Sequence, residues 1–247
     1  KGARTISKVE GANLGKVKAV YINGSGITAN LDRVEKDGLS AQISFDISAD
    51  AYSGPYEVRL LSPTGLSNPS YIWTGNVPEL NEVEPNDTVA KAMKISSLPV
   101  CINGRMDAAE DVDWYEFSVA PGATTVIDIV TNRIYSPMDA VLDLRDAAGH
   151  IVAEASEGYD RDPHIVFTSK LGGIYRLQVR DTLYRGGKNF LYRLSIGSGP
   201  YVPIYVPSTL LPGKNGNDQV KLPEGTQSAN KVEFDPNRTL NIIRYSG

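Results

Sequence analysis

Apolar side chains recur at every second position through most of this chain. Ala41, Ile43, Phe45 and Ile47 are separated by Gln42, Ser44 and Asp46, and Tyr56, Val58 and Leu60 by Glu57 and Arg59. Further on, Tyr175, Leu177 and Val179 alternate with Arg176 and Gln178, and Tyr192, Leu194 and Ile196 with Arg193 and Ser195. Successive residues of a strand face opposite ways, so each run predicts a strand with one buried and one wet face. Turn-forming runs bound them, such as Ser62-Pro63-Thr64-Gly65 and Asp146-Ala147-Ala148-Gly149, the latter inside a hairpin formed by Val141–Leu144 and Ile151–Val152. The expected class is all-β, as tandem antiparallel sandwiches.

Three segments are expected. Residues 1–78 read as a small immunoglobulin-like sandwich. Residues 79–199 read as a second sandwich entered through a polar, acidic linker at 79–87. Residues 200–247, broken by Pro200, Pro203, Pro207, Pro212, Pro223 and Pro236, read as a tail or the start of a further module. One short helix is expected over Thr88–Ile95, with Asn86 or Asp87 as its N-cap.

Composition excludes several roles. A net charge of −4 with scattered Lys and Arg gives no electrostatic case for nucleic acid. No apolar run approaches the ~20 residues that span a bilayer. Cys101 is the one cysteine, so no internal disulfide can form, and it reads as a small buried apolar residue. A chain without disulfides that uses a metal as its clamp fits a secreted, periplasmic or cell-surface bacterial protein.

The chemistry concentrates in Glu82-Val83-Glu84-Pro85-Asn86-Asp87 and in Asp111-Val112-Asp113-Trp114-Tyr115. Strand alternation places Glu82, Glu84 and Asn86 on one side, and Asp111 with Asp113 on one side of their own strand. Brought together they form a set of hard oxygen donors without His or Cys, which suits Ca2+ far better than Zn2+. Without a cation such carboxylates raise one another's pKa values. The competing reading is a solvated acidic linker leading into a helix cap.

These runs, with Gly172-Gly173-Ile174-Tyr175-Arg176-Leu177-Gln178-Val179, resemble the bacterial pre-peptidase C-terminal domain. That family is a jelly-roll-like β-sandwich, an accessory module of secreted proteases related to the collagen-binding modules of collagenases. The resemblance implies calcium ligands at Glu82, Glu84, Asn86, Asp87, Asp111 and Asp113, with Asp107 and Glu110 as substitutes if the loop register differs. Tyr135, Tyr159, Tyr184 and Tyr192 are aromatic candidates for a binding surface, but no motif singles out a collagen face. Val9–Leu14 and Ser62–Asn68 resemble, more loosely, IPT/TIG-type immunoglobulin-like domains.

No His-Glu-x-x-His run, Gly-x-Ser-x-Gly elbow or P-loop is present. Asp128, Asp139, Asp143 and Asp160 read as sheet-face or turn residues before a glycosidase pair, and Asp160–His164 as a turn before a second metal loop. Trp73 and Trp114 read as partly buried strand residues before a carbohydrate platform. The expectation is a non-catalytic accessory or spacer module, flanked by other domains of a larger protein. Binding of an extracellular polymer is the alternative, and hydrolysis the remote one.

Overall fold

A computed structural model describes residues 1–159 and 161–198; Asp160, the side chain of Tyr159 and residues 199–247, which include the Pro-rich segment, lie outside the described residues. The chain divides into two compact units between Asn76 and Val77. Strands carry nearly all the regular structure. Among the described residues the only helices are three short 3-10 turns, and no helix is long and apolar enough to cross a membrane.

The first unit contains β1 (Ala3–Glu10), β2 (Ala19–Ile22), β3 (Ile27–Val34), β4 (Ser40–Ile47), β5 (Gly54–Ser62), β6 (Gly65–Leu66) and β7 (Ser70–Thr74). One sheet runs β1-β4-β3, and the other β2-β5-β6 with β7 also paired to β5. Their inner faces meet in a core of Leu14, Ile27, Ala41, Ile43, Phe45, Tyr56, Val58 and Leu60, following the alternation of the sequence. Tyr56 is fully buried and donates its hydroxyl proton to the Ser25 carbonyl at 2.9 Å. Its apolar ring thus joins the core without leaving a polar atom unpaired.

The second unit contains β8 (Glu79–Asn81), β9 (Met93–Lys94), β10 (Val100–Arg105), β11 (Val112–Val119), β12 (Thr124–Val130), β13 (Ala140–Arg145), β14 (Ile151–Ala155), β15 (Gly158–Tyr159), β16 (Asp162–Thr168), β17 (Gly173–Asp181) and β18 (Leu191–Gly197). A six-stranded sheet has the order β15-β16-β12-β18-β10-β8, and a five-stranded sheet β14-β13-β17-β11-β9. Ile102, Ile127, Ile129, Leu142, Leu144, Leu177, Val179, Leu194 and Ile196 fill the space between them. Each buried side chain of this kind contributes about 1.5–3 kcal/mol.

Two pairings depart from the antiparallel pattern. β8 joins β10 in parallel, and β9 joins β11 in parallel. β8 opens the acidic linker and β9 closes it, so residues 82–92 cross from one sheet to the other. This overturns the expected helix at 88–95. Only Val89–Lys91 makes a 3-10 turn, with Thr88 before it and no side-chain cap. Met93 and Lys94 pair with Tyr115 and Glu116, and the Ile95 amide bonds the Glu116 carbonyl at 2.8 Å. One turn of helix costs nucleation entropy for few hydrogen bonds, so strand pairing wins here.

The segment around Asp162 is a hairpin that carries an anchor. Arg161 occupies the turn with φ 67°, and Asp162 opens β16 with no exposed surface. Its carboxylate accepts hydrogen bonds from the Thr131, Asn132 and Arg133 amides, the Thr131 hydroxyl and Arg133 Nε, all at 2.7–3.2 Å. Removing it would strand several buried donors and one guanidinium. Asp162→Ala should therefore cost the second unit about 3 kcal/mol or more in urea unfolding followed by Trp114 fluorescence. A loss below about 1 kcal/mol would show that the anchor does not hold the turn.

Candidate metal centre

The linker is stitched to both sheets. The Glu82 amide bonds the Asn103 carbonyl on β10 at 2.9 Å, and the Trp114 amide on β11 bonds the Asn86 carbonyl at 3.1 Å. Between these stitches, ligand oxygens of Glu82, Glu84 and Asp113 lie within 4.8 Å of one another. Asp113 belongs to the inward face of β11 with Tyr115 and Phe117, and both Asp113 and Asn86 have 0% exposure. The alternation that builds the core thus drives a carboxylate into it.

Asn86 fixes the linker's bend. Its Nδ2 donates to Glu82 Oε1 at 3.0 Å, and its backbone amide to Glu84 Oε2 at 2.9 Å. It is a buried bridge between two acids and caps no helix. Asp111, also buried, accepts a hydrogen bond from the Asp107 amide. Asp87 is exposed; it borders an open recess of about 320 Å³ with Glu84, Asp107, Ala108, Ala109, Glu110 and Asp111. Asp107 is engaged by the Arg105 guanidinium. The Glu110 amide bonds the Tyr184 carbonyl at 2.8 Å with φ 70° at Glu110, which fixes the loop bend.

Two participants were not read from the sequence. The hydroxyls of Tyr115 and Tyr192 lie 3.0 and 2.9 Å from Glu82 Oε1, and Tyr192 also lies 2.5 Å from Asp113 Oδ2. The two hydroxyls also bond each other. Tyr192 is therefore a buried member of the centre and no part of an exposed aromatic surface, whereas Tyr135 and Tyr184 are exposed. The signal was present: Tyr115 shares a face with Asp113, and Tyr192 with Leu194 and Ile196. Gly104 makes room for this ring, because a Cβ there would fall 2.3 Å from Tyr192 Cζ.

Counting protons shows what the arrangement lacks. Four contacts join Glu82, Asp113, Tyr115 and Tyr192, and the two hydroxyls supply two protons. If both carboxylates are ionised, two contacts hold no proton. Asn86 Oδ1, Asp111 Oδ1 and Asp113 Oδ1 are also buried without a hydrogen-bond partner. Such oxygens call for either an added proton or a cation. The donor set is all oxygen, mostly carboxylate, and fits a hard divalent ion.

The electrostatics agree. Burial and the charge of Glu82 push the Asp113 carboxyl up to about 10. Glu84 and Asp111 are also raised, first by burial and then by neighbouring carboxylates. Two of the remaining acidic candidates are held in ion pairs, and Asp160 lies outside the described residues. Asp128 pairs with Arg133 at 3.1 Å, Asp143 with Arg145 at 3.8 Å, and the Asp139 amide bonds Asp181. Trp114 is buried, with the Arg145 guanidinium 5.8 Å from its ring centroid. Cys101 is buried as expected, and burial raises its thiol pKa.

No family model matches the chain, and no curated protein matches it. Among solved structures it is similar to the pre-peptidase C-terminal domain of a collagenase from Bacillus anthracis. The identity is 20% and the TM-score 0.35, over 47% of this chain and 99% of that one. It is similar also to SGBP-B of the mixed-linkage glucan utilization locus of Bacteroides ovatus, at 10% identity and TM-score 0.25, over 71% and 70% of the two chains. A third is SGBP-B from a xyloglucan utilization locus in Bacteroides uniformis, at 9% identity and TM-score 0.23, over 79% and 69%. Likenesses of this strength carry no inference about function.

The raised Asp113 carboxyl predicts a pH dependence in metal-free solution. Unfolded, the group titrates near ~3.9; folded, it holds its proton to about 10. Between these values the folded chain binds the extra proton, so stability is greatest below the lower value and falls as pH rises. The slope is at most about 1.4 kcal/mol per pH unit. Urea unfolding in EDTA from pH 5 to 9 should show this decline, and Asp113→Asn should flatten it. A stability that rises with pH in the wild type would contradict the assignment.

Proposed function

We propose that this chain is a non-catalytic accessory or spacer region of a larger secreted or cell-surface bacterial protein, and that its second unit is a calcium-stabilised sandwich of the pre-peptidase C-terminal type. The first unit is, on this reading, an immunoglobulin-like spacer. The observation that carries the proposal is the set of three buried, unpartnered oxygens on Asn86, Asp111 and Asp113 beside Glu82 and Glu84.

Glu82, Glu84, Asn86, Asp111 and Asp113 would hold the ion, with Asp87 at the rim. Calcium accepts roughly 6–8 oxygens in irregular arrangements, whereas magnesium demands a near-octahedral shell, so this mixed set favours calcium. When bound, the ion supplies the positive charge that the buried carboxylates lack. The chain's own residues do the rest. Tyr115 and Tyr192 hold Glu82 over the core, and Asn86 fixes the spacing of the two linker glutamates. The product is mechanical: residues 82–92 become a strap across the two sheets of the second unit. Neighbouring domains of the parent protein are the expected partners.

A ligand bound only by the folded state stabilises it by mass action, about 2.7 kcal/mol at a hundredfold excess over Kd. In a domain of this size that is roughly 5–10 °C in midpoint. Thermal unfolding in millimolar Ca2+ against EDTA should show such a rise, and Glu84→Ala with Asp113→Ala should abolish it. Identical midpoints for the wild type in the two buffers would overturn the calcium reading.

A further inference from the structure

The turn between β2 and β3 in the first unit carries an asparagine–glycine pair. Asn23, Gly24 and Ser25 are all exposed. The Asn23 amide donates to the Glu57 carbonyl at 3.1 Å, as a strand residue would. The Glu57 amide returns a bond to the Asn23 side chain, at 2.7 Å from Oδ1. Contacts from behind fix the turn. The Tyr56 hydroxyl donates to the Ser25 carbonyl at 2.9 Å. Gly24 has φ +87°, and a Cβ there would stand 3.0 Å from Tyr56 Cε1. Gly26 has φ +82°, and a Cβ there would fall 2.7 Å from Ala51 Cα. Among the described residues the Gly24 amide has no hydrogen-bond acceptor.

We propose that Asn23 is a self-modification site, which the folded chain converts to aspartate and isoaspartate through a cyclic imide with water as the only co-reactant. The Gly24 nitrogen, having given its proton to hydroxide, attacks Asn23 Cγ and closes the ring. The Cγ–Nδ2 bond breaks, and the nitrogen takes a proton from water and leaves as ammonia. Water then adds to one of the two ring carbonyls, the ring C–N bond at that carbon breaks, and the Gly24 nitrogen regains a proton. Opening at Cγ gives aspartate, and opening at the main-chain carbon gives isoaspartate. One water enters and one ammonia departs, with no change of oxidation state.

Three features of the turn assist the first step. The nucleophile is unpaired and, on glycine, has no Cβ to shield it. The two reacting groups are neighbours on a turn held from several sides, so little freedom is lost on closure. The Glu57 N–H already sits on the oxygen that gains negative charge when Cγ is attacked. Asn103-Gly104 is the same pair without these features. Asn103 lies in β10 between Arg193 of β18 and Asn81 of β8, and its side chain is bonded to Glu79 and Arg193. Gly104 packs beneath the Tyr192 ring. A third pair, Asn215-Gly216, lies outside the described residues. Either product adds a negative charge to the first unit. Aspartate keeps the bond from the Glu57 amide and makes it charge-assisted; isoaspartate lengthens the main chain by one carbon and shifts the turn. The inference goes beyond the structural role proposed above and uses a different unit, so either can fail alone.

Incubation of the full chain in heavy-oxygen water, followed by peptide mapping in a mass spectrometer, tests it, with the urea-unfolded chain as the reference. Folding should leave the rate at Asn23 unchanged or raise it. The same folding should slow Asn103 about tenfold or more, because reaction there waits for local opening. The Asn23 peptide should gain one heavy oxygen, and part of it should be a substrate for an isoaspartate methyltransferase. Its rate should rise from pH 6 to pH 9, since the Gly24 nitrogen must first lose its proton. An Asn23 that folding protects as strongly as Asn103 would overturn the proposal. So would a reaction at Asn23 that yields aspartate alone with no rise in rate with pH, since direct hydrolysis of the side chain would then account for it.

Discussion

The second unit depends on how it accommodates one buried carboxylate. Asp113 sits at a core position of β11, fully enclosed, with a tyrosine hydroxyl on one oxygen and nothing on the other. A lone ion there is costly, and the chain answers by bringing more acids to it. Glu82 comes from the linker, Asp111 from the loop before β11, and Glu84 from the linker's outer turn. Such crowding makes sense if the group is to share a positive charge, because like charges otherwise raise the cost further. The linker's path across both sheets follows from the same requirement. β8 and β9 are too short to be stable alone, and they order the segment by which Glu82 and Asn86 reach Asp113.

Two other buried acids show the ordinary solution. Asp162 and Asp181 are equally enclosed, yet each is surrounded by amides and an arginine. For Asp181 the Arg185 guanidinium and several backbone donors hold its carboxyl down at about 2. Asp113 has no such guard, and its carboxyl moves the opposite way. The contrast separates a structural anchor from a candidate ion site within one fold, using the same residue type at the same burial.

Much of this was legible in the sequence. Strict alternation identified the strands, the inward faces and the hairpin around Asp146–Gly149, because a one-residue slip would bury every polar partner. The acidic linker and the Asp111/Asp113 pair were legible from donor chemistry, and the chain brings Glu82, Glu84 and Asp113 together. The helix over Thr88–Ile95 was misread. Local propensity favoured it, but the edge of β11 offered Met93 and Lys94 a strand partner that propensity cannot see. For Tyr192 alternation marked the inward, apolar face, which holds, but only the folded chain shows Gly104 clearing space for its ring and its hydroxyl reaching Glu82. Asp162 looked like turn chemistry because its donors lie some thirty residues away in sequence.

The central claim is that the oxygens around Asp113 form a seat for a hard cation, and a crystal structure of the chain grown with calcium chloride tests it most directly. The account predicts one strong anomalous peak with oxygen ligands at about 2.3–2.6 Å, drawn from Glu82, Glu84, Asn86, Asp111 and Asp113. A structure in which Asp113 instead shares a proton with Glu82 and the tyrosines, with no ion within reach of Asn86 or Asp111, would contradict it.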